Sequence, residues 1–200
     1  NDLYSKQDMR LDRIHDLGLK TIDLKQCLER FVDFPDVHDW PHAAPDPIDL
    51  DSVHSEARSY VEHMRSMSAY FPNDRGSDKL MTRYESIVRT ADNADWRVQG
   101  EFFDLLELFD TTGGATLNAW HDKPIAKLEK QRFADFRASV AQPALTWWYQ
   151  RRYQFVVELL EQAQGIYDRL RKASGGLDFQ DLLLRAAQAL KTNPSLRSYF

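Results

Sequence analysis

The residues best equipped for chemistry lie between Lys123 and Arg152. Lys123, Lys127, Lys130, Arg132, Arg137, Arg151 and Arg152 stand there against Asp122, Glu129 and Asp135. The lysines at 123, 127 and 130 follow helical spacing, so they form one ridge on a helix. A lysine ridge contacts phosphates and releases their counterions. Trp147-Trp148-Tyr149 lie alongside, and an open aromatic face stacks on an unpaired base. Consecutive aromatics on a helix point in different directions, so at least one of the three belongs to a core. The plainer reading of the whole run is a solvated charged face.

Other reactive arrangements are missing or weak. No G-x-x-x-x-G-K-[ST] occurs, because Gly113-Gly114 and Gly175-Gly176 lack the following Lys-Ser/Thr. A phosphate-cradling loop is therefore not encoded. Neither a G-x-S-x-G elbow nor an H-E-x-x-H helix is present. Cys27 beside a histidine would make a nucleophile pair, but the simpler reading is a small thiol buried on an apolar helix face. His38 and His42 have the i, i+4 spacing of a metal pair, yet Pro41 between them breaks the shared face; His54 and His63 lie on the next helix. Asp46, Asp49 and Asp51 lack the turn glycine and closing glutamate of a calcium loop. The expected catalytic and metal sets are both empty.

The elements that position these residues read as helices. Met9, Leu11, Ile14 and Leu17 share a side over residues 5–17, and Gly18 ends that helix. Thr21 or Asp23 caps a second helix bearing Leu24, Cys27, Leu28, Phe31 and Val32. Pro35, Pro41, Pro45 and Pro47 make residues 34–50 a loop. Asp51 or Ser52 then caps a helix to about Phe71, and a further helix runs from Asp78 to about Thr90. Residues 96–109 form a buried helix, with a buried strand as the alternative for part of them. Residues 124–140 are helical and basic. Pro143 sits in the first turn of a long helix reaching Ala173, which Gly175-Gly176 ends. Helices follow from Phe179 to about Lys191 and from Pro194. No segment alternates as a strand, and no internal repeat is present. The expected fold class is all-α, a multi-helix array.

With 200 residues the chain makes one domain or slightly more, long enough to bury a core without disulfides. One cysteine excludes an intrachain disulfide and fits a cytoplasmic location. No apolar run reaches the length of a membrane span, and Asn1-Asp2-Leu3-Tyr4 has no signal-peptide character. The missing initiator Met and the abrupt end at Phe200 point to a piece of a longer protein. With 31 acidic and 26 basic residues the net charge is −5. A dedicated nucleic-acid binder is usually basic, so DNA contact must come from a local patch or be weak.

The most specific motif is C-terminal. Tyr167 to Gly176 reads as a helix and a glycine turn, followed by Leu177-Asp178-Phe179-Gln180-Asp181-Leu182-Leu183. This resembles superfamily-1 DNA helicases of the UvrD/RecB/AddA kind, as does the segment Asn193-Pro194-Ser195-Leu196-Arg197. In that family an apolar strand with an Asp-Glu-x-Gln-Asp motif comes next, which this chain stops short of. The resemblance is looser over residues 1–41, carried by Leu17-Gly18-Leu19, Asp23-Leu24, Phe34-Pro35-Asp36-Val37 and Trp40-Pro41, which look like the start of the helical insertion of the first motor domain. It is poor between residues 41 and 160.

The resemblance implies an accessory helical subdomain of an ATP-dependent DNA helicase or translocase, with or without a fused nuclease. Residues 1–174 would be the insertion and 175–200 a return segment into the motor core. ATP and Mg would bind the full-length protein, outside this chain. The implied partners are DNA, the motor domains of the same chain and a further subunit, with no membrane. From the residues alone, Asp178 reads as a helix N-cap, Asp181 as a favourable charge in the first turn, and Phe179, Leu182, Leu183 and Ala186 as a docking stripe. A helical module that docks a partner subunit is the competing function, and a stand-alone enzyme is the least supported.

Overall fold

The computed structural model describes residues 11–33, 40–41, 44–71, 78–111, 119–174 and 179–197. All regular structure among them is helical, as expected. The order is α1 (residues 11–16), α2 (Thr21–Asp33), α3 (Leu50–Met67), α4 (Lys79–Asn93), α5 (Gln99–Glu107), α6 (Lys123–Phe136), α7 (Gln142–Ser174), α8 (Phe179–Thr192) and α9 (Pro194–Arg197). No helix among the described residues is long and apolar enough to cross a membrane. The chain divides into two compact units. The first is residues 1–20 with 44–153, the second 21–43 with 154–200. The dividing line runs through α7.

Aspartates start three of the helices. Asp49 accepts from the Ser52 amide at 3.1 Å, Asp78 from Leu80 and Met81 at 2.9 and 2.8 Å, and Asp122 from Ile125 at 3.1 Å. Each carboxylate satisfies first-turn amides that have no partner within their helix. The cap of α3 is thus Asp49, not the expected Asp51 or Ser52; an extended residue at 49 lets Leu50 begin the helix. Residues 96–109 contain a helix, and the strand alternative falls away.

The first unit is built on buried helical stripes. Ala57, Tyr60, Val61, Met64 and Met67 line α3, and Leu80, Met81, Tyr84, Ile87 and Ala91 line α4. The short α5 buries Phe102, Phe103, Leu105 and Leu106. Trp148 of α7 lies flat on Phe103, centroids 4.3 Å apart. Each such aromatic contributes roughly 1.5–3 kcal/mol by leaving water.

Between α6 and α7 the backbone widens into a π-helical turn, Arg137–Ala141, in which the Gln142 amide bonds the Arg137 carbonyl. Pro143 has no N–H to offer Ser139, so the ordinary ladder cannot pass through this point. The glycine stop after α1 is also real: Gly18 has φ +58°. A Cβ on Gly100 would stand 3.2 Å from the Gly18 Cα, so this glycine pair seats the turn after α1 directly on the start of α5.

The second unit carries α2, α8, α9 and the later part of α7. In it Phe31 is buried and stacks on Trp40 at 5.0 Å. Cys27 is exposed, not buried as the sequence implied, because the buried contact of α2 is made at Phe31. His38, His42, Gly175-Gly176 and the capping residue Asp178 lie outside the described residues.

The positive φ at Gly18 gives a direct test. Gly18→Ala is expected to lower the unfolding free energy by about 1 kcal/mol, the cost of a Cβ in the left-handed region. A urea titration with an unchanged midpoint would contradict this placement.

Candidate functional site

The centre of the first unit is a polar cluster. Glu129 of α6 is 2% exposed. Its Oε2 accepts from Tyr84 Oη at 2.9 Å and from His63 Nε2 at 2.8 Å. Its Oε1 accepts from Arg132 at 2.9 Å, and with the His63 proton on Nε2, Arg132 also donates to His63 Nδ1 at 3.1 Å. Tyr84 spends its one proton on Glu129, so Tyr60 is the donor in the 3.0 Å Tyr60–Tyr84 bond. Burial pushes both phenols well above their ordinary range, and the Glu129 charge adds to this. A buried carboxylate is tolerated only when paired and hydrogen-bonded, and here α3, α4 and α6 all contribute donors.

This cluster was missed in the sequence, where Glu129 counted only as a surface charge opposing the basic run. The available signal was its register. Ala126, Glu129, Phe133 and Phe136 form the buried stripe of α6, so an acid occupies an apolar position.

Around the cluster the predicted basic residues separate into two groups. Lys123, Lys127 and Lys130 are exposed along α6, and none of them makes an ion pair among the described residues. Arg132 is committed to Glu129 and His63. Arg137 pairs with Asp110 at 3.0 Å. The nearest surface carboxylates are also occupied: Asp122 caps α6, and Asp135 accepts from Gln131 at 2.7 Å.

The aromatic triplet divides as its angular spacing requires. Trp148 is buried against Phe103, which leaves no indole face for a base. Trp147 is half-buried, with Phe103 at 5.9 Å and the Arg151 guanidinium 5.1 Å over its ring. Arg152 lies 5.9 Å over the Trp148 ring. Tyr149 is exposed and donates to Glu107 at 2.9 Å; partial burial, with the Glu107 carboxylate adding to it, pushes its phenol up to about 12. The sequence brings the lysine ridge together as expected but does not bring Arg132, Arg137 or Trp148 to it.

In the second unit, Leu182 and Leu183 of the C-terminal motif are exposed. Phe179 and Asp181 begin α8. Leu182, Ala186 and Leu190 recur every fourth residue, and all three are open to solvent. Among the described residues no group of three or more His, Cys, Asp or Glu side chains is placed to hold a metal ion. No family model, curated protein or solved structure matches this chain.

Two expectations follow. Glu129→Leu takes the acceptor from the buried Tyr84 hydroxyl and unpairs the partly exposed His63 and Arg132, and should cost about 3 kcal/mol in chemical unfolding; a loss below about 0.5 kcal/mol would contradict the cluster's role. His54 lies flat on Phe102 at 3.6 Å, and burial, then the Arg58 charge, lowers its pKa. The unfolded chain therefore takes up the proton more readily, so the stability tied to neutral His54 is lost as pH falls below about 6.5. Unfolding midpoints between pH 7.5 and 5 should fall less in His54→Phe than in the parent chain. Parallel curves would contradict this.

Proposed function

We propose that this chain is an accessory helical subdomain of an ATP-dependent DNA helicase or translocase, contacting duplex DNA through the lysine ridge of α6. The observation that carries the reading is local: three lysines that form no ion pair among the described residues share one helix face in a chain of net charge −5. A patch of this kind supplies sequence-independent phosphate contact. The chemistry of the full protein, with ATP and Mg, would belong to motor segments outside this chain. The motif around Asp178, Phe179, Asp181 and Leu182 then serves to start and dock α8 and has no part in catalysis.

A second reading draws on the stripe of Leu182, Ala186 and Leu190. An apolar row left open on a helix supports docking against protein, either the motor core of the same chain or a partner subunit. The two readings concern different faces and are compatible.

The test is fluorescence anisotropy of the chain with a blunt duplex at low and moderate salt. Binding that weakens steeply with salt is expected. The Lys123→Glu, Lys127→Glu, Lys130→Glu variant should bind at least about tenfold more weakly, with a shallower salt slope. Unchanged binding in that variant would remove the ridge from the reading. Absence of binding at tens of micromolar in low salt would leave the docking reading alone.

A further inference from the structure

A second basic surface lies in the first unit, and α6 contributes nothing to it. Two grooves adjoin there. One, of about 350 Å³, is lined by Arg13, His15, Asp16, Arg97 and Arg151, with the first turn of α5. The other, of about 370 Å³, is lined by Arg58, Glu62, Arg65, Asp95, Trp96 and Arg97. Arg97 belongs to both, so the grooves form one track. Five arginines face four carboxylates along it, Asp16, Glu62, Asp95 and the Asp92 that pairs with Arg65, a small local excess of positive charge in a chain of net charge −5.

The arginines are held in place in a consistent way. Arg58 lies 5.6 Å over the Trp96 ring and Arg151 5.1 Å over Trp147. Both indoles are half-buried, and the Trp96 N–H is fixed to the Ala91 carbonyl at 3.0 Å. A guanidinium lying on an indole is oriented before any ligand arrives, which reduces the ordering cost of binding. Arg97 is held by Asp95 at 3.0 and 3.1 Å through Nε and one terminal nitrogen, leaving the other nitrogen's two donors for a ligand. Arg65 is held by Glu62 at 3.5 Å and by Asp92. The glycine pair Gly18–Gly100 seats the turn after α1, the helix that carries Arg13, against the start of α5.

We propose that this arginine track binds single-stranded nucleic acid, its guanidiniums contacting the phosphodiester backbone and the indole-backed arginines offering flat faces to unpaired bases. Basic grooves interleaved with planar groups suit single strands, because every base has a face to stack and every linkage carries a charge. The inference rests on the nucleic-acid reading above but assigns a different face and a different strand state, so the two can fail separately.

The test is anisotropy of the whole chain with a fluorescein-labelled 20-mer of deoxythymidylate, in 50 and 200 mM salt. Arg97→Gln with Arg151→Gln should weaken binding on the order of tenfold at the lower salt and make the logarithmic salt slope shallower by about 1.4, the value for two lost single-strand phosphate contacts. Circular dichroism should match the parent, since Arg97 is exposed. The triple lysine variant should bind the single strand as the parent does while losing the duplex. Equal binding of the 20-mer by the double arginine variant would overturn the assignment, as would no binding by the parent at tens of micromolar in 50 mM salt. Competition by inorganic polyphosphate, at equal charge concentration, as strong as that by unlabelled 20-mer would also overturn it, in favour of a plain polyanion site. If the double variant loses the duplex but keeps the single strand, the track belongs to duplex binding and the single-strand assignment falls.

Discussion

A carboxylate sealed inside a helical core must be neutralised and hydrogen-bonded where it stands. Glu129 meets that requirement by drawing Tyr84 from α4, His63 from α3 and Arg132 from its own helix. Apolar packing tolerates small rotations of a helix, whereas a set of directed bonds does not. The rotation of α6 about its axis is therefore fixed by Glu129, with Phe133 and Phe136 on the buried side and Lys123, Lys127 and Lys130 outside. The same bonds hold Arg132, still partly exposed, against Glu129 and His63. The composition of the exposed ridge is a consequence of the buried cluster.

Much of the helical framework was legible because its signals are local. The helix start at Asp78 and the stop at Gly18 each depend on a few residues. Other features depend on residues far apart in sequence. Whether Glu129 is a surface charge or a buried hub is decided by Tyr84 and His63, 45 and 66 positions away. Trp148 was chosen over Trp147 for the core by Phe103 on another helix. The arginine track escaped notice because Arg13, Arg58, Arg97 and Arg151 come from separate segments and share no pattern. Exposure of Cys27 had no local signal at all, since its neighbours at Leu24 and Leu28 read as a buried face.

The two basic surfaces differ physically. Lysines on α6 are mobile point charges along one edge, suited to phosphates of a regular duplex without demanding fixed geometry. Arginines in the track are held by indoles and carboxylates, which suits a strand whose bases are free. In both cases the low local density of unpaired carboxylates matters more than the net charge of −5, because charges beyond about 10 Å are screened in ordinary salt.

The central claim, that the ridge fixed by Glu129 is the face that meets DNA, is tested most directly by lysine footprinting. The chain would be labelled with an amine-reactive reagent, with and without a saturating tailed duplex, and each site read by mass spectrometry. Lys123, Lys127 and Lys130 should lose labelling together when DNA is bound, while Lys25 and Lys191, exposed in the other unit, keep theirs. Unchanged labelling at all three ridge lysines on DNA that is demonstrably bound would contradict the account.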